Sequence, residues 1–314
     1  MLRRSTIALA TAGALASTGT AYLGARNLLL GQATHARTLI PKSWEIPPRA
    51  DGIYAPGGGP VERWHRGIDF DLHLMIFGDS TATGYGCTSA EEVPGVLIAR
   101  GLAERTGGRV RLSTKAIVGA TSKGVCGQVD AMFVAGPPPD AAVMMLGAND
   151  VTALNGVGPS AQRLALTVRK LRTHGTVVVV GTCPDLGVIS AIPQPLRSLA
   201  HARTSQLARA QAASVRAAGG VPVPLAHLLA PQFRATPDSM FSADGYHPSS
   251  SAYALAAYAL LPALYDALGD TEECPENTLS PSPAPAGRPV LSRLWRRPET
   301  QPAAPSSCQP AGTD

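Results

Sequence analysis

Five short apolar runs, Leu72–Phe77, Val110–Val118, Ala141–Leu146, Val177–Val180 and Val221–Leu225, punctuate the middle of this chain. Between them lie helical patterns near Ala90–Arg105, Ser122–Val134, Ser160–His174 and Leu196–Ala218, and a last one covers Ser249–Leu268. Runs this short and continuously apolar suit strands buried on both faces, and strands that alternate with helices form βαβ units. The expected fold class is therefore α/β with a mostly parallel sheet. Right-handed crossovers bring all the carboxyl ends of such strands to one edge. The turns gathered there are Gly78-Asp79-Ser80, Gly119-Ala120-Thr121, Gly147-Ala148-Asn149-Asp150 and Cys183-Pro184-Asp185. Open sheets of this kind keep their chemistry at that edge.

The 314 residues suffice for one sizeable domain with tails, and 45% hydrophobic against 16% charged residues implies a substantial core. The domain is expected over 68–269. Before it, 41–67 is rich in Pro and Gly and reads as a lead-in running along the surface. After it, 270–314 is rich in Pro, Ser and Ala, with little to bury, and is expected to be disordered. Residues 1–40 read as an export signal or an N-terminal membrane anchor. Arg3-Arg4 precedes a stretch without charges from Ser5 to Ala25, and Ala14-Leu15-Ala16 resembles a cleavage site. The chain is thus expected to be exported, and either secreted or held at the cell envelope. A net charge of +5 is spread along the chain, and aromatic residues make up only 5%, so nucleic acid is not an expected partner.

Five cysteines, Cys87, Cys126, Cys183, Cys274 and Cys308, fit no metal-ligand spacing, and no cofactor or metal is expected. Export makes disulfides admissible. Cys87 follows the Ser80 turn and Cys126 follows the turn at Gly119, so a Cys87–Cys126 bridge is a candidate.

A serine at the sheet edge is a poor nucleophile without a base. Asp244-Gly245-Tyr246-His247-Pro248 supplies one. His247 has an imidazole suited to proton transfer near neutral pH, and Asp244 lies close enough in sequence to orient it. Acyl transfer also needs donors aimed at the developing oxyanion. The Ser80 N–H, the Gly119 N–H and the Asn149 side-chain amide are the candidates. Asp79 and Asp150 read as turn-holding carboxylates.

Four blocks in this order resemble the SGNH (GDSL) family of serine esterases over about residues 70–268. They are Gly78-Asp79-Ser80, Val118-Gly119-Ala120-Thr121, Gly147-Ala148-Asn149-Asp150 and Asp244-Gly245-Tyr246-His247-Pro248-Ser249. The resemblance implies a three-layer flavodoxin-like fold with five parallel strands ordered 2-1-3-4-5. It also implies Ser80 as nucleophile, His247 as base, Asp244 as acid, and an oxyanion hole of Ser80, Gly119 and Asn149. The implied substrate is a small-molecule or lipid ester. Small residues near the serine (Ala82, Thr83, Gly84, Gly86) and the lack of a long apolar lid point to short acyl chains. Alternatives that stay open are a cell-envelope glycan O-deacetylase or acyltransferase, a lysophospholipase, and a non-catalytic anchored binding protein that keeps the fold.

Overall fold

The computed structural model describes residues 21–35, 38 and 46–269. The first half of the expected export segment and the Pro-rich tail, with Cys274 and Cys308, lie outside the described residues.

Strands β2 (Leu72–Gly78), β3 (Val110–Thr114), β4 (Ala141–Met145), β5 (Val177–Gly181) and β6 (Val221–Val223) form the parallel body of the sheet. β2, β4 and β5 are buried along their whole length, as a strand covered by helices on both faces must be. The strand order is β1-β3-β2-β4-β5-β6. Its parallel part is the expected 2-1-3-4-5 arrangement. The five parallel strands are those expected, and the sheet gains a sixth, antiparallel one. The extra strand, β1 (Gly52–Tyr54), pairs antiparallel with β3 at the edge. It comes from the lead-in, where Ile53 and Tyr54 carry enough apolar surface to be buried at 1% exposure each. Arg111 on β3 stacks on the lead-in's Trp64 at 3.5 Å, covering the same edge.

Helices close both faces. α3 (Pro94–Thr106) and α10 (Ser250–Gly269) pack on one side, where Ile76, Leu102, Leu112 and Leu260 share a core. α4 (Ser122–Ala135) and α6 (Val157–Arg172) cover the other, around Phe77, Val129, Met144 and Leu164. α7 (Leu196–Ala217) packs beside α6. α10 is long and apolar enough to cross a membrane, yet it buries Tyr253, Ala257, Leu260 and Leu264 in the core shared with the sheet. It is a core helix of this fold.

Besides β1 and a few one-turn helices, two longer helices lie where none was expected. α8 (Leu225–Ala235) begins where the last apolar run was expected to continue as strand. A helix α1 (21–35) forms within the stretch read as signal or anchor, and it rests against the domain.

The Cys87–Cys126 bridge is not formed. Both residues are free thiols, and they lie on opposite sides of the sheet. Cys87 belongs to the core under α3 and α10, and its Sγ donates to the Glu92 carbonyl. Cys126 sits on α4, with Sγ 3.1 Å from Thr167 Oγ1 on α6. A chain order that places both residues after sheet-edge turns says nothing of which face each following helix covers.

Candidate active site

β2 ends in a turn that only glycine can make. Gly78 has φ +141°, and a Cβ there would lie 2.0 Å from the Met145 carbonyl oxygen. That carbonyl accepts the Asp79 N–H at 3.1 Å, pinning the turn to β4. From α4, Gln128 reads the same glycine on both sides: Oε1 accepts the Gly78 N–H at 2.9 Å, and Nε2 donates to its carbonyl at 2.8 Å. Asp79 then caps the short helix α2 (Ser80–Thr83), accepting the Thr81 N–H at 2.9 Å. Ser80 is the first residue of that turn. Its side chain is held at the sheet edge by backbone pairing on one side and a buried cap on the other.

Burial pushes the Asp79 carboxyl up to about 6, against hydrogen bonds from Thr81 and Gly147 and the charge of His247. Its folded value thus exceeds the ordinary 3.8, so the native state holds this proton more tightly than the unfolded chain. The cost of ionising it is absent below the unfolded value and grows as pH rises through the folded one. Wild type should therefore lose stability relative to Asp79→Asn, by on the order of 1–3 kcal/mol, between about pH 4 and about pH 7. Urea unfolding at a series of pH values reads this, and a pH-independent difference would contradict it.

The second and third loops are tied to each other. Asp150, buried in the helical turn that follows β4, accepts from the Ser122 N–H and Oγ (both 2.8 Å), Ser160 Oγ (2.9 Å) and Asn155 Nδ2 (2.9 Å). This carboxylate fastens the start of α4 to α5 (Ala148–Thr152) and α6. Asn149, one residue earlier, donates one Nδ2 hydrogen to the Ala120 carbonyl at 3.1 Å. Its second amide hydrogen has no partner among the described residues. Gly119 sits at φ +80° with open space around the position of a Cβ. Among the described residues, neither its N–H nor that of Ser80 is used in a hydrogen bond. Three unengaged donors thus face one region of the sheet edge, and Ser80, Gly119 and Asn149 all line the same cavity.

Asp244 and His247 form a compact turn between α9 (Pro237–Met240) and α10, closed by the Ser242 N–H to the His247 carbonyl at 2.8 Å. Asp244 Oδ1 accepts from Ser242 Oγ and from the backbone N–H groups of Tyr246 and His247, each at 2.8 Å. Oδ2 lies 2.6 Å from His247 Nδ1. Burial raises the Asp244 carboxyl, but the bonds from His247, Tyr246 and Ser242 outweigh it and hold the group well below the usual carboxylate range. It is ionised wherever the protein is folded at ordinary pH, so it fixes a proton on Nδ1 and leaves Nε2 as the basic nitrogen. The imidazole is wedged between Tyr85 (ring centroids 4.3 Å apart) and Tyr246 (5.0 Å). Both the Asp244 and the His247 side chains are nearly buried and border the cavity that holds Ser80.

That cavity has a volume of about 1190 Å³. Ala82, Thr83, Gly84 and Gly86 are not on its surface. Ala82, Thr83 and Gly84 are buried away from it, so these small residues do not limit what binds beside the serine. Sequence reasoning also missed Gln128, although a glutamine among Val125, Val129 and Met132 on one helix face is a readable sign of a buried polar clamp. Asp185, placed by the sequence only in a sheet-edge turn, is buried and accepts from His201 Nδ1 (2.8 Å), Arg234 Nη2 (3.0 Å) and the Gly187 N–H (2.8 Å), tying the loop after β5 to α7 and α8.

A serine in a strand-to-helix turn, an oriented imidazole and unpaired donors on one cavity, in a doubly wound sheet, define a serine-dependent carboxylic ester hydrolase. The chain belongs to the GDSL-like lipase/acylhydrolase family, whose model matches residues 76–255. It is 73% identical, over 98% of its length and 99% of the other chain, to the GDSL-like esterase Rv1075c of Mycobacterium tuberculosis. In fold it is similar to the lipase Lip_vut3 from a goat rumen metagenome, with TM-score 0.51 and 16% identity over 62% of this chain and 98% of that one.

Proposed function

We propose that this esterase works through an acyl-enzyme on Ser80, with His247 as base and Asp244 as its orienting acid. Ser80 Oγ attacks the ester carbonyl while His247 Nε2 takes its proton. The carbonyl oxygen becomes an oxyanion, received by the Ser80 and Gly119 N–H groups and by Asn149 Nδ2. Collapse expels the alcohol, which takes the proton from His247. Water then repeats the sequence on the acyl-enzyme and releases the acid. The observation that carries this reading is the pairing of Asp244 Oδ2 with His247 Nδ1 at 2.6 Å on the cavity that holds Ser80.

The simplest substrates are short acyl esters, and the experiment is hydrolysis of chromogenic acetate and butyrate esters by the purified protein. Asn149→Ala is expected to lower turnover about 10²–10³-fold, with KM changed far less. An effect under about threefold would remove Asn149 from the oxyanion hole. Export and attachment to the cell envelope belong to the same proposal. Arg3-Arg4 ahead of the uncharged stretch supports it, as do Leu23 and Leu28, which α1 leaves 54% and 53% exposed. A cleavage after Ala16 would leave α1 on the mature protein.

A further inference from the structure

The cavity beside Ser80 is far larger than an acetyl or butyryl group needs, and α1 supplies one of its walls. Tyr22, Ala25, Leu29 and Ala33, spaced as one helical face, line it from above. Leu225 and Leu229 on α8 and Leu199 on α7 line it as well. At its margin the molecule exposes large apolar side chains that a soluble surface would cover: Tyr22, Leu30, Val118, Leu154 and Leu199. Leu154 does so at φ +56°, a backbone state that leucine rarely adopts and that marks functional positions. Of the charged groups on the lining, Asp185 is spent on His201 and Arg234, and Arg203 on the Asn155 carbonyl. Arg26 is the only Lys, Arg, Asp or Glu that 21–35 carries.

Among the described residues, α1 is hydrogen-bonded to the rest of the domain through one side chain, Gln32. Gln32 Oε1 accepts the N–H of Leu196, the first residue of α7, at 3.1 Å, and Gln32 Nε2 donates to the Gln194 carbonyl at 2.5 Å. The helix thus supplies a partner for a donor that the start of α7 would otherwise leave unpaired.

We propose that α1 is the roof of an acyl-chain site, latched by Gln32, and that esters with acyl chains longer than butyrate lie beneath it with their carbonyl at Ser80. This rests on the ester hydrolase reading. An apolar lining stabilises methylenes and offers little to a polar acyl group, whose lost water contacts it could not replace. Ala33 and Gln32 then determine chain-length selectivity. Ala33 borders the space, and Gln32 holds the wall in place.

The test is the ratio of kcat/KM for p-nitrophenyl octanoate to that for p-nitrophenyl acetate, measured on the full chain. Ala33→Trp, which fills the space under the roof, is expected to lower the ratio about tenfold or more. Gln32→Ala, which frees the latch, should lower it roughly threefold or more. Each ratio comes from one preparation, so partial unfolding cancels. An unchanged ratio in Ala33→Trp, an equal fall for both esters, or wild type that hydrolyses acetate but not octanoate would overturn the roof. Wild type inactive on both esters would instead overturn the ester hydrolase reading beneath it.

Discussion

Ser80→Ala should abolish ester hydrolysis, by about 10⁴-fold or more in kcat, while the protein stays folded. The two halves of this result have separate causes. In the proposed mechanism the hydroxyl oxygen carries the acyl group, so no neighbouring donor can substitute for it. Its removal costs the fold little, because among the described residues the Ser80 side chain makes no hydrogen bond that the change would break. The turn is held instead by Asp79, Gln128 and the Met145 carbonyl. Hydrolysis of a chromogenic butyrate ester and a urea melt on the same preparation check both halves. Retained turnover would contradict the nucleophile, and a large loss of stability would contradict the account of what holds the turn.

Gly78→Ala should do the opposite, damaging the fold first and activity in consequence. A methyl group at this position meets the Met145 carbonyl oxygen at 2.0 Å and Ala82 Cβ at 2.8 Å, and φ +141° is strained for any L side chain. Neither obstacle is the tip of a flexible side chain. β2 would have to part from β4, releasing the Asp79 N–H and the Gln128 clamp. The expected cost is roughly 3–5 kcal/mol, among the larger single-residue effects. It should appear as a clear fall in the urea midpoint at unchanged slope. A shift within about 0.5 kcal/mol, the size of an ordinary surface change, would mean that the turn is not the tight junction described here.

The parts of this molecule that were readable from sequence are those in which one local pattern decides the outcome. Continuous apolar runs such as Val177–Val180 can only be buried strands in this context, and the helix expected over Leu196–Ala218 is found at Leu196–Ala217. The pairing of Asp244 with His247 is equally local, because three residues of chain bring both to one turn. What depends on the third dimension was not readable. β1 is three residues in a Pro/Gly-rich stretch and becomes a strand only because β3 offers it an edge. Val221–Leu225 looked like one run, yet Leu225 opens a helix whose interior even tolerates Pro231. Cys87 and Cys126 looked like partners until the sheet came between them. The wall made by α1 was hidden for another reason. A stretch apolar enough to line a cavity is also apolar enough to read as an export segment, and among the described residues it is the bonding of Gln32 on α1 to Leu196 and Gln194 that distinguishes the two uses.

The central claim is a covalent one, and a fluorophosphonate probe tests it directly. Labelled protein, digested and mapped by mass spectrometry, is expected to carry the probe on Ser80 alone. His247→Ala should label far more slowly, because the base that activates the hydroxyl is gone. Label on another residue, or none on wild-type protein that still hydrolyses esters, would contradict the acyl-enzyme at Ser80.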